Sequence, residues 1–500
     1  MLILQLFLAS ILVAFLIWKW KVSYWQRRGV ACIPAKFPFG SIADIILMRR
    51  TIGEVYDEIY YDLKSGFGGI YRFWWPALFV RDPEIVKAVF VKEFNSFHDN
   101  DYFVDPEVDP ILGLNPFNSK GDRWKYSRGI VTPSLTILKV KGMIPGIKSV
   151  CKQMADYIET QTDEFLEGYD LMGKYTTDVV GCSAYGIEAN SFENPNSVLR
   201  QMSSRMFDGS LKGNIALLCA LYFPALGKLL RFKILTEEVN QYFISVVREA
   251  VSLRKKDGSS RDDFLQSLIN ANNDAEGRGN PPVYSEEEMA AHSMTFFLDG
   301  YETAALLLGF IVYELSLNPE PQEKLRQEIR KNGDSVEAFD FETIHGMEYL
   351  DMVVMETLRK HPSGTSFSRL CTRDVVLKSQ DGSDVLVEEG TPVILPMYSL
   401  HNDPEYFPDP DRFDPERFTK ENRATRPQFC FFPFGGGPRS CPGNTFAMTM
   451  VKLAVITVLL RFRLEPKEIP VGKLELDPGN QFFHSAKHGL WLKYKPVDAL

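Results

Sequence analysis

Phe434-Gly-Gly-Gly-Pro-Arg-Ser-Cys-Pro-Gly443 centres on one cysteine, Cys441, framed by glycines and prolines. A cysteine thiolate can ligate a metal if it is kept deprotonated and dry. The three glycines before it permit positive φ and a close approach of the backbone to a flat ligand. A run that reads as a helix begins at Asn444, so its N-terminus and the backbone N–H groups around the sulfur favour negative charge there. Phe434 can screen the sulfur from water, and Arg439 can meet a carboxylate. The competing reading is a buried free cysteine in a glycine-rich turn, the common fate of a single Cys.

Phe434-x-x-Gly437-x-Arg439-x-Cys441-x-Gly443 resembles the haem-binding signature of the cytochrome P-450 family at every defining position. The resemblance implies haem b (iron protoporphyrin IX) with Cys441 as the axial ligand of the iron, and Phe434, Arg439 and Gly443 beside it. A thiolate in that place pushes electron density toward O–O cleavage.

The bulk composition leaves room for one large enzyme domain. The chain has 500 residues, 45% of them apolar and 24% charged, which is ordinary for a globular protein. Its 56 basic and 65 acidic residues give a net charge of −9. An acidic chain without a basic run interleaved with aromatics is a poor nucleic-acid binder. There are 7 cysteines, an odd number without CxxC or zinc-finger spacing. That favours a reduced, cytosol-facing domain over a disulfide scaffold.

At the N-terminus Leu2 to Trp18 is apolar apart from Gln5 and Ser10, and Lys19, Lys21, Arg27 and Arg28 follow. The run is near the short end of a bilayer span, about 17–25 residues. No basic residue precedes it and no small-x-small site follows, which argues against a cleaved signal peptide. The basic flank predicts a cytoplasmic main domain. Residues 1–20 are therefore expected to be a transmembrane signal-anchor, 21–45 a basic flank with a proline hinge (Ile33-Pro-Ala-Lys-Phe-Pro-Phe-Gly40), and 46–500 the catalytic domain.

Further along, Gly68-Gly-Ile-Tyr-Arg72 and Ala77-Leu-Phe-Val-Arg81 predict two strands, with a helix from Pro83 to Phe90. His98 to Lys120 reads as a loop, and the family resemblance makes it a cover for substrate. Trp124 and Arg128, four apart in a helical run, share a face. Beside the cysteine segment they resemble the family's haem-propionate pair. Leu171 to Phe192 reads as one buried helix, residues 195–250 as helix, hydrophobic connector and helix, and Lys255 to Pro282 as a polar surface connector. Ala216-Leu-Leu-Cys-Ala-Leu-Tyr-Phe223, edged by Lys228, Arg231 and Lys233, suits either a shallow membrane contact or a roof over the core.

Ser285-Glu-Glu-Glu288 is a capping box, and an apolar pattern runs from Met289 to Asn318-Pro319. The centre of this long helix is Asp299-Gly300-Tyr301-Glu302-Thr303-Ala304. A mid-helix glycine and a threonine that bonds back to the preceding turn loosen a helix. The segment resembles the family's Ala/Gly-Gly-x-Asp/Glu-Thr motif, which implies proton delivery by Thr303 and Glu302. Asp299 departs from it, standing where Ala or Gly is usual. In the fatty-acid ω-hydroxylases a Glu at the matching position can become esterified to haem. Asp299 is thus expected either to anchor a polar substrate group or to form such an ester.

Glu356-Thr-Leu-Arg359 and Pro415-Glu-Arg417-Phe418 resemble the family's Glu-Arg-Arg triad, whose role is folding and haem retention. A buried Glu–Arg pair needs a further partner, which Arg417 supplies. Arg369 matches a propionate-binding arginine. Phe367, Phe482 and Phe483 are candidates for substrate contact, with simple core packing as the alternative for the last two.

The resemblance covers residues 30–495 and implies a mainly α haem-thiolate monooxygenase fold with a minor β region. Its texture is most similar to microsomal enzymes of the arthropod xenobiotic-metabolising branch. It implies insertion of one atom of O₂ into a small apolar substrate at the endoplasmic reticulum membrane, with the catalytic domain facing the cytoplasm. No Rossmann fingerprint or flavin domain is evident, so electrons from NADPH are expected through a separate NADPH–cytochrome reductase, with cytochrome b5 as a further candidate partner. Two other readings stay open: an isomerase or dehydratase of oxidised lipids, and a non-catalytic haem-binding carrier or sensor.

Overall fold

The two strands expected near residue 70 fold as an antiparallel pair, Phe67–Arg72 against Trp75–Val80, with Gly68 opposite Phe79 and Ile70 opposite Ala77. The computed structural model describes residues 1–194, 196–206, 211–261, 263–481 and 483–497. The described chain is mainly helical with small sheets. It groups into two units, each assembled from three stretches of sequence.

The first unit comprises Met1–Asp101, Gly364–Tyr406 and Pro427–Ser440. Its sheet has five strands in the order Phe67–Arg72, Trp75–Val80, Pro392–Leu395, Phe367–Leu370, Asp99–Asn100. Only the pairing of Trp75–Val80 with Pro392–Leu395 is parallel. The Ile52–Asp62 helix starts at a capping box, Thr51 with Glu54, which satisfies two otherwise orphaned N–H groups. The helix expected from Pro83 to Phe90 is present and changes type: Pro83–Lys87 is α-helical and then widens into a π-helical turn, Ala88–Lys92. At the N-terminus Leu2–Lys21 is one continuous helix whose apolar side chains stay exposed.

The second unit comprises Tyr102–Ser363, Phe407–Arg426 and Cys441–Leu500. It is built around the Glu286–Leu317 helix, 32 residues that rise about 48 Å. Ser285 and Glu288 form the expected box at its start. The helix is apolar nearly all round and correspondingly buried nearly all round. It crosses the Gly168–Tyr185 helix at Gly309, where a Cβ would be in van der Waals contact with the Tyr169 backbone at 3.4 Å. Asn444–Arg461 is a second core helix; the Tyr175 hydroxyl reaches it, donating to the Met450 carbonyl at 2.8 Å.

Three expectations need correction. The buried helix anticipated over Leu171 to Phe192 is Gly168–Tyr185, stopped by Gly186 in the left-handed conformation at φ 65°. The hydrophobic connector is itself helical, Leu211–Tyr222, broken at Phe223 and resumed as Pro224–Leu229. The polar connector hides another helix, Phe264–Gly277, capped by Asp263. Phe264, Leu265, Leu268 and Ile269 give it a narrow apolar stripe that a polar composition masks.

Candidate active site

Cys441 stands three residues before the Asn444–Arg461 helix. Burial pushes its thiol up to about 11; the Gly443 N–H, bonded to the sulfur, draws it down, the Asp299 carboxylate pushes it up again, and the Arg128 guanidinium draws it down. Left to the protein alone the sulfur keeps its proton. A bound metal ion would deprotonate it outright. There is room for water beside both Cys441 and Asp299, yet surrounding protein desolvates both, so the two residues line an internal hollow.

Arg128 comes from the Gly121–Val131 helix together with buried Trp124. It is half-buried and close enough to Cys441 for the two charges to interact. Desolvation lowers its pKa, and no carboxylate of the described residues pairs with it. Such an arginine is ready for an anion from outside the chain. Among the described residues no three His, Cys, Asp or Glu side chains gather as a metal set. Cys441, the Gly443 N–H at its sulfur and the Arg128 guanidinium beside it fit the thiolate-held haem that the resemblance implies.

On the long helix the Thr303 hydroxyl donates to the Asp299 carbonyl one turn back, at 2.7 Å, while Ser363 Oγ donates to the Thr303 carbonyl at 2.9 Å. The expected back-bond is present, but the helix continues through it without a break. Glu302 points into protein. Tyr169 donates to its carboxylate at 2.8 Å, and burial lifts its pKa to about 7 against the pull of Tyr169 and Arg200. Tyr169 also bonds Tyr301, which takes an N–H from Arg200 at 2.5 Å; Arg200 in turn binds Asp170 at 3.0 Å. The Asp299 carboxylate accepts from Asn115 Nδ2 at 3.2 and 3.5 Å and is raised by burial to about 7.

Glu356, Arg359 and Arg417 do meet. Glu356 takes two N–H bonds from Arg359, at 2.7 and 2.8 Å, and the Asp414 N–H at 2.9 Å, with Arg417 Nε 3.4 Å away. Arg359 also binds the Pro410 carbonyl, and Arg417 the carbonyls of Pro408 and Asp409. The clamp thus holds the backbone of residues 408–414 as well as the charges.

In the first unit Arg369 lies buried with its guanidinium over Phe90, bonded to Asn100. Burial and the like charge of Arg439 push its pKa down to about 9. Arg439 does find a carboxylate, but a protein one: Asp99, at 3.3 Å, with the His98 carbonyl as a second partner. Phe434 is half-buried, and Phe367 packs edge-on to Phe90 at 5.6 Å. Two of the glycines before Cys441 show the expected positive φ, and they also serve the packing of the turn. Gly435 and Gly437 take φ of 69° and 66°, and a Cβ on Gly437 would fall 1.9 Å from the Phe90 carbonyl, so their absence of side chain packs the turn itself.

Phe483 is buried in the second unit, with its N–H donating to Asn480 at 3.1 Å, and reads as core; Phe482 lies outside the described residues. Sequence reasoning missed Asn115, Tyr169, Arg200 and Asp99. Each acts through a partner distant in the chain, which no local pattern marks.

A family model described as Cytochrome P450 matches residues 36–484. The chain is 34% identical over 489 residues to Cytochrome P450 6k1 of Blattella germanica, covering 93% of this chain and 92% of that protein. It is 32% identical over 484 residues to Cytochrome P450 9e2 of the same insect, covering 91% and 90%. To Probable cytochrome P450 6a13 of Drosophila melanogaster it is 31% identical over 488 residues, covering 96% of both.

Proposed function

Since the chain belongs to the cytochrome P450 family and is a monooxygenase of that fold, we propose that it is a membrane-anchored enzyme oxidising small apolar molecules with electrons passed from NADPH through a reductase. The exposed apolar helix Leu2–Lys21 and its basic flank support an anchor in the endoplasmic reticulum membrane, with the catalytic part in the cytoplasm. The similarity to insect relatives supports a clearing role toward foreign compounds.

Haem, when bound, supplies the oxygen-activating iron. Cys441 is the residue to hold it, with the Gly443 N–H directed at the sulfur. In the second unit Arg128 and Trp124, and in the first Arg369 and Arg439, would each be a donor for a propionate; among the described residues no carboxylate pairs with Arg128 or Arg369, whereas Arg439 would share itself with Asp99. Glu302, with a pKa near neutrality, can both give and take a proton, and Tyr169 orients it. Thr303, the next residue on the long helix, carries a hydroxyl proposed to handle protons, which donates to the Asp299 carbonyl.

Cys441 carries this reading: a thiol beside an internal hollow, with a backbone donor and an arginine that no carboxylate of the described residues pairs with. The absorption spectrum of the reduced, carbon monoxide-bound protein tests it. A strongly red-shifted Soret band that disappears in Cys441→Ser is expected. An ordinary haem–CO band in undenatured wild type, or no haem, would overturn it.

A further inference from the structure

We propose that Asp299 selects the substrate: its carboxylate, held by Asn115 at the edge of the internal hollow, receives the ammonium group of an apolar amine. This rests on the haem-thiolate reading above and names the substrate class for it.

The orientation of the site is fixed from behind. Asn115 Oδ1 accepts the Phe117 N–H at 2.7 Å, so its amide cannot flip, and Nδ2 is left to face Asp299. The Asp299 backbone is held too, through its carbonyl and the Thr303 hydroxyl. Asn115 ends the short Pro110–Leu114 helix, so this one contact joins the 102–120 segment to the long helix.

The charge balance singles Asp299 out. Most other buried carboxylates of the described second unit have cations or several donors, and Glu302, with the Tyr169 hydroxyl as donor, has the Arg200 guanidinium near enough to draw its pKa down. Asp263 pairs with Arg254 at 2.6 Å, Glu314 with Lys360 and His361 at 2.9 and 2.6 Å, and Glu356 with Arg359 and Arg417. Asp109 accepts two backbone N–H groups. Among the described residues Asp299 has one neutral amide donor and no cation, and its carboxylate lines the hollow it shares with Cys441. A desolvated carboxylate without a counter-ion is unfavourable, and a cation in the adjoining hollow relieves it with a charge-assisted hydrogen bond. An alcohol would return less, because a neutral donor leaves the charge uncompensated.

The test uses full-length, haem-loaded protein in detergent and calorimetric titration at pH 8. The probes are a phenylbutyl dimethylamine and its isopropyl isostere, which differ by nitrogen for carbon. Wild type is expected to bind the amine at least tenfold tighter. Asp299→Asn, which keeps the shape, should erase that preference and leave the hydrocarbon's affinity within twofold; Asp299→Ala should do the same. A preference that survives both substitutions, or none in wild type, would overturn the proposal. So would a Soret shift showing the amine nitrogen on the iron, or haem that acid extraction cannot release unmodified, which would mean that Asp299 is esterified. The reduced carbon monoxide spectrum of the same samples separates the two levels. A thiolate band with no amine preference sinks this inference alone, and no thiolate band sinks the reading beneath it.

Discussion

The Tyr169 hydroxyl stands 2.8 Å from each carboxylate oxygen of Glu302. One phenol thus faces both oxygens of an acid that the long helix buries at 3% exposure.

That burial makes stability depend on pH. Glu302 is lifted from 4.5 to about 7, so between those values the native state keeps a proton that the unfolded chain has released. Stability therefore falls as pH rises through that window and levels off above it. Glu302→Gln removes this contribution. Relative to wild type it should gain about 2–3 kcal/mol near pH 8 and almost nothing near pH 4.5. Tyr169→Phe deletes the donor that stabilises the carboxylate, raises the Glu302 pKa further and steepens the dependence. Urea midpoints at the two pH values check both, and the same wild-type-to-Gln difference at each pH would refute the account.

Arg128 is expected to matter for haem retention rather than for folding. It makes no ion pair within the described protein, so Arg128→Gln breaks none and leaves the melting of haem-free protein within about 0.5 kcal/mol. Losing one charge-assisted bond to a propionate should weaken haem binding by about 1.5–3 kcal/mol, roughly 10- to 150-fold. The rate of haem transfer to a scavenger protein measures it, and an unchanged rate would remove Arg128 from the site.

Glu356 should be the least replaceable residue of the clamp. Glu356→Ala strands two guanidinium groups, one fully buried, at a cost of about 3–5 kcal/mol. Arg417→Ala should cost less, because that side chain sits nearer the surface and the Glu356–Arg359 pair survives it. Yields of soluble, haem-loaded protein and urea midpoints rank the variants; an Arg417→Ala loss equal to that of Glu356→Ala would contradict the ranking.

What could be read ahead of the structure was what lies close together along the chain. The Ser285–Glu288 box, the Thr303 back-bond and the Glu356–Arg359 pair span three or four residues, and pattern alone specifies them. The partners of Asp299, Glu302 and Arg439 are 184, 133 and 340 residues away, and nothing local marks them. The Phe264–Gly277 helix was obscured for a different reason. It presents four apolar residues amid Asn, Asp, Glu and Gly, so tertiary burial of a narrow stripe outweighs a weak propensity.

The same Glu356 carboxylate that accepts the Asp414 N–H closes a loop of 58 residues. Bringing the ends of such a loop together costs about 3–4 kcal/mol of chain entropy, which must be met before the contact returns anything. The clamp therefore belongs to the late stages of folding, after the local helices have formed. An interaction absent from the transition state governs how fast the native protein comes apart rather than how fast it assembles. Weakening the clamp should shorten the lifetime of the folded enzyme while its refolding rate stays nearly constant.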